Sequence, residues 1–211
     1  MKKIFYLIQF LFILILFLIL KLLPLNFSKI LASILFRNIG KLTSAHKTAA
    51  DNCKFVFPKL EKLKVINLIN NSWNNIAINI CELLKFKILL NKNKILINGL
   101  ENIEKIKKNN KQAIFIGIHQ SNWEILVPMI ERLDLKICGI YRHINNFFLD
   151  KMILKIRKNT LLSNENFYTP KGRQSAKDLI EALNNGFSIV LLIDQKDSAG
   201  EDVVFFNKLV K

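Results

Sequence analysis

The chain has 211 residues, enough for one domain with an appended segment, and 51% of them are hydrophobic, which is high for a freely soluble protein. Its formal net charge is +16, carried by lysines spread along the whole chain, and no nucleic-acid-binding signature accompanies it. We therefore expect no nucleic acid partner and interpret the basic surface as one that faces an anionic membrane. The three cysteines, without a C-x-x-C motif, support neither a disulfide framework nor a zinc site.

The N-terminal segment is the clearest physical signal. Residues 4–20 carry no charge and form a helix of about 25 Å, which the next two leucines extend if Lys21 snorkels to the interface. A cleaved signal peptide is the alternative, but no small-x-small cleavage site follows the apolar run, and this favours a retained anchor. Basic residues after the segment favour a body on the cytoplasmic side. A segment that lies in the membrane interface is a further alternative.

Helical patterns continue beyond the anchor. Apolar residues recur at helical spacing in residues 27–42, which predicts a helix on the membrane or on the body, and again in residues 58–86. The stretch "KILING" (residues 94–99) predicts a short strand that ends at a glycine, and residues 101–109 predict a short amphipathic helix.

From residue 113 onward, strand patterns alternate with helix patterns. The predicted strands are a buried strand at 113–118, then 135–141, then an almost wholly apolar strand at 187–194 that should lie inside a sheet, and finally 203–206. The predicted helices are 122–133, 147–158 and 173–186. Pro128 is a candidate kink in the first, and an Asn-Asn-Gly run ends the last.

This alternation predicts an α/β fold with a central, mostly parallel sheet flanked by helices, preceded by an N-terminal membrane-anchor helix. We divide the chain into an anchor (residues 1–25), a membrane-proximal helical segment (residues 26–90) and an α/β core (residues 91–211).

His119 ends the predicted strand at 113–118, and Glu124 follows five residues later. In one interpretation "SNWE" is a capping box with Ser121 as the N-cap, and no chemistry follows. In the other, His119 is a general base, and Glu124 fixes its tautomer and stabilises the imidazolium. The two side chains converge only across a strand-to-helix turn, because positions i and i+5 of one helix lie about 140° apart. Such a pair suits deprotonation of an alcohol and needs no metal and no covalent intermediate.

An ordered set of motifs resembles a known family. "HQSNWE" matches the H-x4-D/E signature of membrane-bound acyltransferases, and "YRHINNFFLDKMILKIR", "PKGRQSAKDLIEALNNGFSIVLLIDQK" and "VVFFN" follow in order. Together they resemble the lipid A biosynthesis (Kdo2-lipid IVA) lauroyl/myristoyl acyltransferases of Gram-negative bacteria. The resemblance implies an acyltransferase-like fold of the glycerol-phosphate acyltransferase kind.

The resemblance also implies a reaction and a location. A fatty acyl chain passes from acyl carrier protein to a hydroxyl group of a lipid A precursor, with His119 taking the hydroxyl proton and Glu124 holding His119. The enzyme would contact membrane lipids at the bacterial inner membrane, with its catalytic body facing the cytoplasm. No cofactor and no metal are expected.

Further candidate site residues belong to the same motifs. Arg142 is a candidate for binding the oxyanion of the tetrahedral intermediate or a lipid A phosphate, or else it is a solvated arginine. Asn145 lies in the same block, and the alternatives for it are a site role and a cap of the next helix. Gly172 gives its loop a flexible point. Asp194 and Gln195 end a buried strand, where a site role and a turn role are equally open. Three basic residues could bind phosphate or could be plain surface charge: Arg157, Lys171 and Arg173.

The end of the chain departs from the family pattern. Members continue past the "VVFFN" motif, so we expect a fold that is incomplete at its C-terminus. Two alternatives to the lipid A enzyme follow. One is a truncated, non-catalytic remnant of such an enzyme. The other is a lysophospholipid or glycerol-phosphate acyltransferase, because the H-x4-D/E motif is shared with those enzymes.

Overall fold

The computed structural model of the chain describes residues 2–91, 95–195, 200–205 and 207–210. The helices are α1 (Lys2–Leu22), α2 (Leu25–Gly40), α3 (Ser44–Val56), α4 (Lys62–Leu84), α5 (Phe86–Asn91), α6 (Leu100–Lys108), α7 (Leu126–Glu131), α8 (Phe147–Lys158) and α9 (Arg173–Asn184). The strands are β1 (Ile114–Gly117), β2 (Ile137–Tyr141), β3 (Phe167–Pro170), β4 (Ser188–Leu192), β5 (Val203–Phe205) and β6 (Lys208–Val210).

Four of these strands form one sheet in the order β1-β4-β2-β3, and every pairing in it is parallel. The last two strands form a separate antiparallel hairpin. The chain thus has the predicted α/β fold, with a mostly parallel sheet, flanking helices and an apolar helix at the N-terminus.

The central position of β4 confirms the prediction from its apolar sequence. It is hydrogen-bonded to β1 on one side and to β2 on the other, and both Ile189 and Val190 are 3% exposed. A strand covered on both faces needs apolar residues at successive positions, which is the pattern read in this segment.

The prediction of a buried strand at 113–118 is wrong for one face of β1. This strand lies at the edge of the sheet, and Ile114 and Ile116 are 56% and 63% exposed. Phe115, on the other face, packs against the cluster of Ile130, Ile137 and Val190. An apolar run does not reveal whether both faces of its strand are covered, because coverage depends on distant elements.

Two other predicted elements differ from the structure. Residues 95–99 form no strand. The last of them, Gly99, has a φ of 83° and is the N-cap of α6, and Lys94 lies outside the described residues. The predicted helix at 122–133 is a 3₁₀ turn at Trp123–Ile125 followed by α7. Pro128 is the third residue of α7, where a backbone N–H has no intrahelical acceptor, so it fits the start of a helix instead of kinking a longer one.

The helical half of the molecule has its own core. It forms where α1, α2, α4 and α5 meet, and its buried members are Leu20, Leu25, Ala32, Ala77, Cys81, Phe86 and Leu89. Within the described part of the chain, α1 is the helix long and apolar enough to cross a membrane by length and composition.

Candidate active site

The pairing of β1 with β4 brings two distant loops together. Gly117 is opposite Leu192 in the parallel register, so the residues two positions further on, His119 and Asp194, leave the sheet side by side. The carboxyl ends of parallel strands are where ligands gather in α/β folds. The register therefore explains why two side chains 75 positions apart form one site.

Asp194 holds His119 with both of its carboxylate oxygens. The ring Nδ1 lies 2.7 Å from Oδ1, and the main-chain N–H of His119 donates to Oδ2 at 2.8 Å. Burial acts to raise the pKa of Asp194, but the hydrogen bonds from the ring and main chain of His119 outweigh it and hold that pKa below its usual range. An ionised carboxylate only accepts hydrogen bonds, so Nδ1 of a neutral ring carries the proton and Nε2 is the basic nitrogen.

Glu124 does not contact the ring in the way we predicted. Its carboxylate accepts two hydrogen bonds from Arg157, from Nε to Oε2 at 2.8 Å and from Nη2 to Oε1 at 2.5 Å. The physical reason is that Glu124 lies on the 3₁₀ turn beside α8, while Asp194 already occupies the Nδ1 side of His119. In this structure the carboxylate hydrogen-bonded to Nδ1 of His119 is therefore that of Asp194, not that of Glu124.

The pair of Glu124 and Arg157 is largely shielded from water. The two side chains are 14% and 21% exposed. Burial acts to lower the pKa of Arg157, but the hydrogen bond and charge of Glu124 outweigh it and raise the pKa. A bidentate arginine–carboxylate pair fixes the orientation of both groups. The pair therefore connects the 3₁₀ turn to α8 and places two charged groups in the cavity lining.

The cap of the turn that carries Glu124 also differs from the predicted capping box. Asn122, not Ser121, is the N-cap of the 3₁₀ turn, and its Oδ1 accepts from the N–H of Glu124 at 3.2 Å. Ser121 adopts a φ of 52°. Two bonds tie this loop to α4: Asn122 Nδ2 donates to Glu82 Oε2 at 2.6 Å, and Asn79 Nδ2 donates to the Ser121 carbonyl at 2.6 Å. The loop that carries His119 is thus held by the helical half of the molecule.

A cavity of about 420 Å³ lies over the two pairs. This volume is typical of pockets for small organic ligands. Its polar lining includes His119, Glu124 and Arg157, and its apolar lining comes from the sheet and α7. The ring of Trp123 lies 5.1 Å from that of His119, and Gln195 Nε2 lies 3.1 Å from His119 Nε2. An amide N–H at this position donates to the basic nitrogen.

The other predicted residues divide into two groups. Arg142 and Lys171 both line the cavity, and the Lys171 main chain donates to the Tyr141 carbonyl at 2.7 Å. Asn145 is exposed and does not line the cavity. Gly172 also lies outside the lining. It precedes α9 with a φ of 153°, and among the described residues no atom lies within 4 Å of the position that a Cβ would take.

Sequence reasoning missed the partnership of Arg157 with Glu124 and the contact of Gln195 with His119. The residues of the first pair are 33 positions apart, and no spacing rule links a 3₁₀ turn to the last turn of a later helix. In the described part of the chain, no group of three or more His, Cys, Asp and Glu side chains is placed to hold a metal ion.

Ligand sites of parallel α/β folds lie at the carboxyl edge of the sheet, and here that edge presents a carboxylate-bound histidine beside a cavity. The sequence model of the bacterial lipid A biosynthesis acyltransferase family matches residues 1–208, and the chain belongs to this family. This match confirms the resemblance described above and identifies acyl transfer in lipid A biosynthesis as the activity of the family. A search of curated proteins finds no match.

Proposed function

We propose that the chain is a membrane-attached enzyme that transfers a fatty acyl chain from acyl carrier protein to a hydroxyl group of a lipid A precursor. It would work at the bacterial inner membrane with its catalytic body facing the cytoplasm. Family membership supports acyl transfer and the lipid A precursor, and the apolar helix α1 supports membrane attachment. The observation that carries the proposal is the His119–Asp194 pair, which leaves a basic ring nitrogen at the cavity.

In the proposed reaction, His119 Nε2 removes the proton of the acceptor hydroxyl as the hydroxyl oxygen attacks the thioester carbonyl carbon. The ionised Asp194 stabilises the imidazolium that forms. When the tetrahedral intermediate collapses, the carbon–sulfur bond breaks, the thiolate leaves, and the imidazolium returns its proton to the sulfur. The products are an ester and a free thiol, and His119 is again neutral.

The charged residues of the cavity have separate roles in this proposal. Arg142 lines the cavity and is the cation that we assign to the oxyanion or to a phosphate of the acceptor, and Lys171 is a second candidate for phosphate. Glu124 acts as a positioning residue, because it holds Arg157 against the cavity wall. Asn145 and Gly172 lie away from the cavity, and we assign them to the loop structure.

The test uses membranes that contain the full chain, a labelled acyl-acyl carrier protein and a lipid A precursor. We expect His119→Ala to lower turnover by about 100-fold or more, the effect of losing a general base. The matched controls are His46→Ala and His143→Ala, which should be mild. Each of these rings has a structural partner: His46 Nδ1 accepts from Trp73 Nε1 at 3.2 Å, and His143 Nδ1 pairs with Asp150 Oδ2 at 2.6 Å.

Three results would contradict the proposal. Equal losses for the three histidine variants, with folding intact, would remove His119 from its role as the base. Transfer to a lysophospholipid or glycerol phosphate but not to the lipid A precursor would change the acceptor. A folded, membrane-bound chain that transfers no acyl group to any of these acceptors would identify a non-catalytic relative of the family.

A further inference from the structure

Helix α1 is attached to the rest of the protein at both of its ends. Near its N-terminus, Asn146 Nδ2 donates to the Tyr6 carbonyl at 2.8 Å and to Gln9 Oε1 at 3.3 Å, while Asn146 Oδ1 caps α8. The rings of Phe10 and Phe148 lie 5.7 Å apart at the same place. The first half of α1 is therefore bound to the N-terminus of α8.

The other end of α1 is bound to the helical core. Leu20 is 0% exposed in the helical core, and its carbonyl accepts a hydrogen bond from Ser28 Oγ at 2.7 Å. The buried ammonium group of Lys85 donates to the Leu23 carbonyl beyond the end of the helix. The contacts thus run from Tyr6 to Leu23, a distance of about 25 Å at 1.5 Å per residue.

This length of contact conflicts with a helix that crosses a bilayer alone. If α1 stood across a hydrocarbon core of about 30 Å, the N-terminus of α8 would be carried into the membrane with it. That part of the protein contains the pair of His143 and Asp150, and also Lys151, whose ammonium group lies 4.3 Å from the ring centroid of Phe147. Charged groups inside the hydrocarbon region of a bilayer are costly, and they are rare there.

The free face of α1 is apolar from end to end. Its exposed residues include Ile4 at 65%, Ile8 at 61%, Phe12 at 62%, Ile15 at 58% and Leu18 at 53%. Lysines lie at both ends of the helix and none between them: Lys2 and Lys3 at the start, and Lys21 at the end. An apolar face with cations at both ends fits a surface with buried acyl chains and anionic headgroups along the whole helix.

We propose that α1 lies along the membrane surface, with its free face in the acyl region and its N-terminus on the same side of the membrane as the body. The partner is an anionic lipid bilayer. The inference rests on the proposed function only in placing the protein at a membrane. It also places the cavity near the lipids, because Tyr141 and Arg142 line the cavity and Asn146, on the same loop, contacts α1.

The first test locates the N-terminus. The background is Cys53→Ser, because Cys53 is partly exposed. Cys81 and Cys138 stay in place, because both are buried and burial raises the pKa of each thiol to about 11. Lys3→Cys then reports on the N-terminus, and Lys177→Cys, on the exposed side of α9, reports on the body. Each variant is treated with a membrane-impermeant maleimide in spheroplasts and in inverted inner-membrane vesicles.

We expect both thiols to react in inverted vesicles and neither in spheroplasts. Reaction of Lys3→Cys only in spheroplasts, with Lys177→Cys reacting only in inverted vesicles, would show a crossing helix and overturn the proposal. Reaction of both only in spheroplasts would support the surface helix and contradict the cytoplasmic orientation in the proposed function. Because no acyl transfer is measured, loss of activity does not affect the answer.

The second test measures depth. Phe5, Phe12 and Ile19 are all exposed and lie seven residues apart, so cysteines at these positions carry a fluorophore along nearly one line of the helix. The full chain is placed in vesicles of phosphatidylethanolamine and phosphatidylglycerol. These vesicles also contain lipids that carry a quencher at a known depth, so that quenching of the fluorophore reports its depth. A surface helix gives the same depth at all three positions. A crossing helix, which would overturn the proposal, puts position 12 deeper than the other two by about 10 Å.

Discussion

His119 and Asp194 are joined by two hydrogen bonds to one carboxylate, one from the ring at 2.7 Å and one from the main chain at 2.8 Å. The main-chain bond fixes where the carboxylate lies, and the ring bond fixes which ring nitrogen carries the proton. A single hydrogen bond to the ring would leave the carboxylate free to rotate. The double contact keeps Nε2 as the basic nitrogen and keeps the ring in one orientation beside the cavity.

Replacing Asp194 with asparagine should therefore impair turnover far more than stability. Asp194→Asn removes the charge that stabilises the imidazolium, and its amide can turn an N–H₂ group toward the ring and select the wrong tautomer. We expect turnover to fall by about 100-fold or more, with little change in KM for the acceptor. The matched control is Asp134→Asn, since Asp134 is a carboxylate 84% exposed and paired with Lys107. Near-normal turnover in Asp194→Asn would show that Asp194 does not serve the base.

The lowered pKa of Asp194 also predicts how stability depends on pH. A carboxyl group whose pKa is lower in the folded state stabilises the fold above its unfolded pKa of about 3.9, and this stabilisation is lost as the pH falls through the folded value. The difference in Tm between the wild type and Asp194→Asn should be constant from about pH 7 to pH 5 and shrink below about pH 4. It should be small, because Asp194 is one-third exposed. Thermal unfolding in detergent measures it, and a difference that grows in acid would contradict the assignment.

The Glu124–Arg157 pair should be strongly coupled. Glu124→Gln leaves a buried guanidinium without its counter-charge, and we expect it to lower the free energy of unfolding by about 1–3 kcal/mol and to lower turnover as the cavity wall loosens. In a double-mutant cycle with Arg157→Met, the coupling energy should exceed about 1 kcal/mol. Lys136 and Glu165 form the control pair, 3.0 Å apart and more than half exposed, with an expected coupling below about 0.5 kcal/mol. Equal coupling in both cycles would remove Glu124 from its positioning role.

Helix α1 should contribute to the stability of the body as well as to membrane attachment. Leu20 is fully buried among α2, α4 and α5, so Leu20→Ala should lower the free energy of unfolding by about 2–5 kcal/mol. Leu18 is 53% exposed on the free face, so Leu18→Ala should change it by less than about 0.5 kcal/mol. Denaturant unfolding in mild detergent measures both. Similar small effects would mean that α1 is only a tether. For the same reason, deleting residues 1–23 should damage the fold and not simply release a stable body.

Local patterns were enough to predict most of the elements. The helix predicted at residues 147–158 has the same bounds in α8, and the apolar run at 187–194 contains the central strand β4. His119 was predicted at the end of a strand, and it follows β1 by two residues. These predictions succeed because helical periodicity, apolar runs and turn residues act over a few positions, which a sequence displays directly.

The partners of the site residues were decided only by the tertiary structure. Sequence spacing suggested Glu124 for His119 because the two are five residues apart, whereas the parallel register of β1 with β4 supplied Asp194 from 75 positions away. Likewise, residues 4–20 by themselves showed a helix apolar enough for a membrane. Only the packing of that helix against α8 and the helical core showed which face is free. Hydrogen bonds and burial depend on which distant segments meet, and that is determined by the packing of the whole chain.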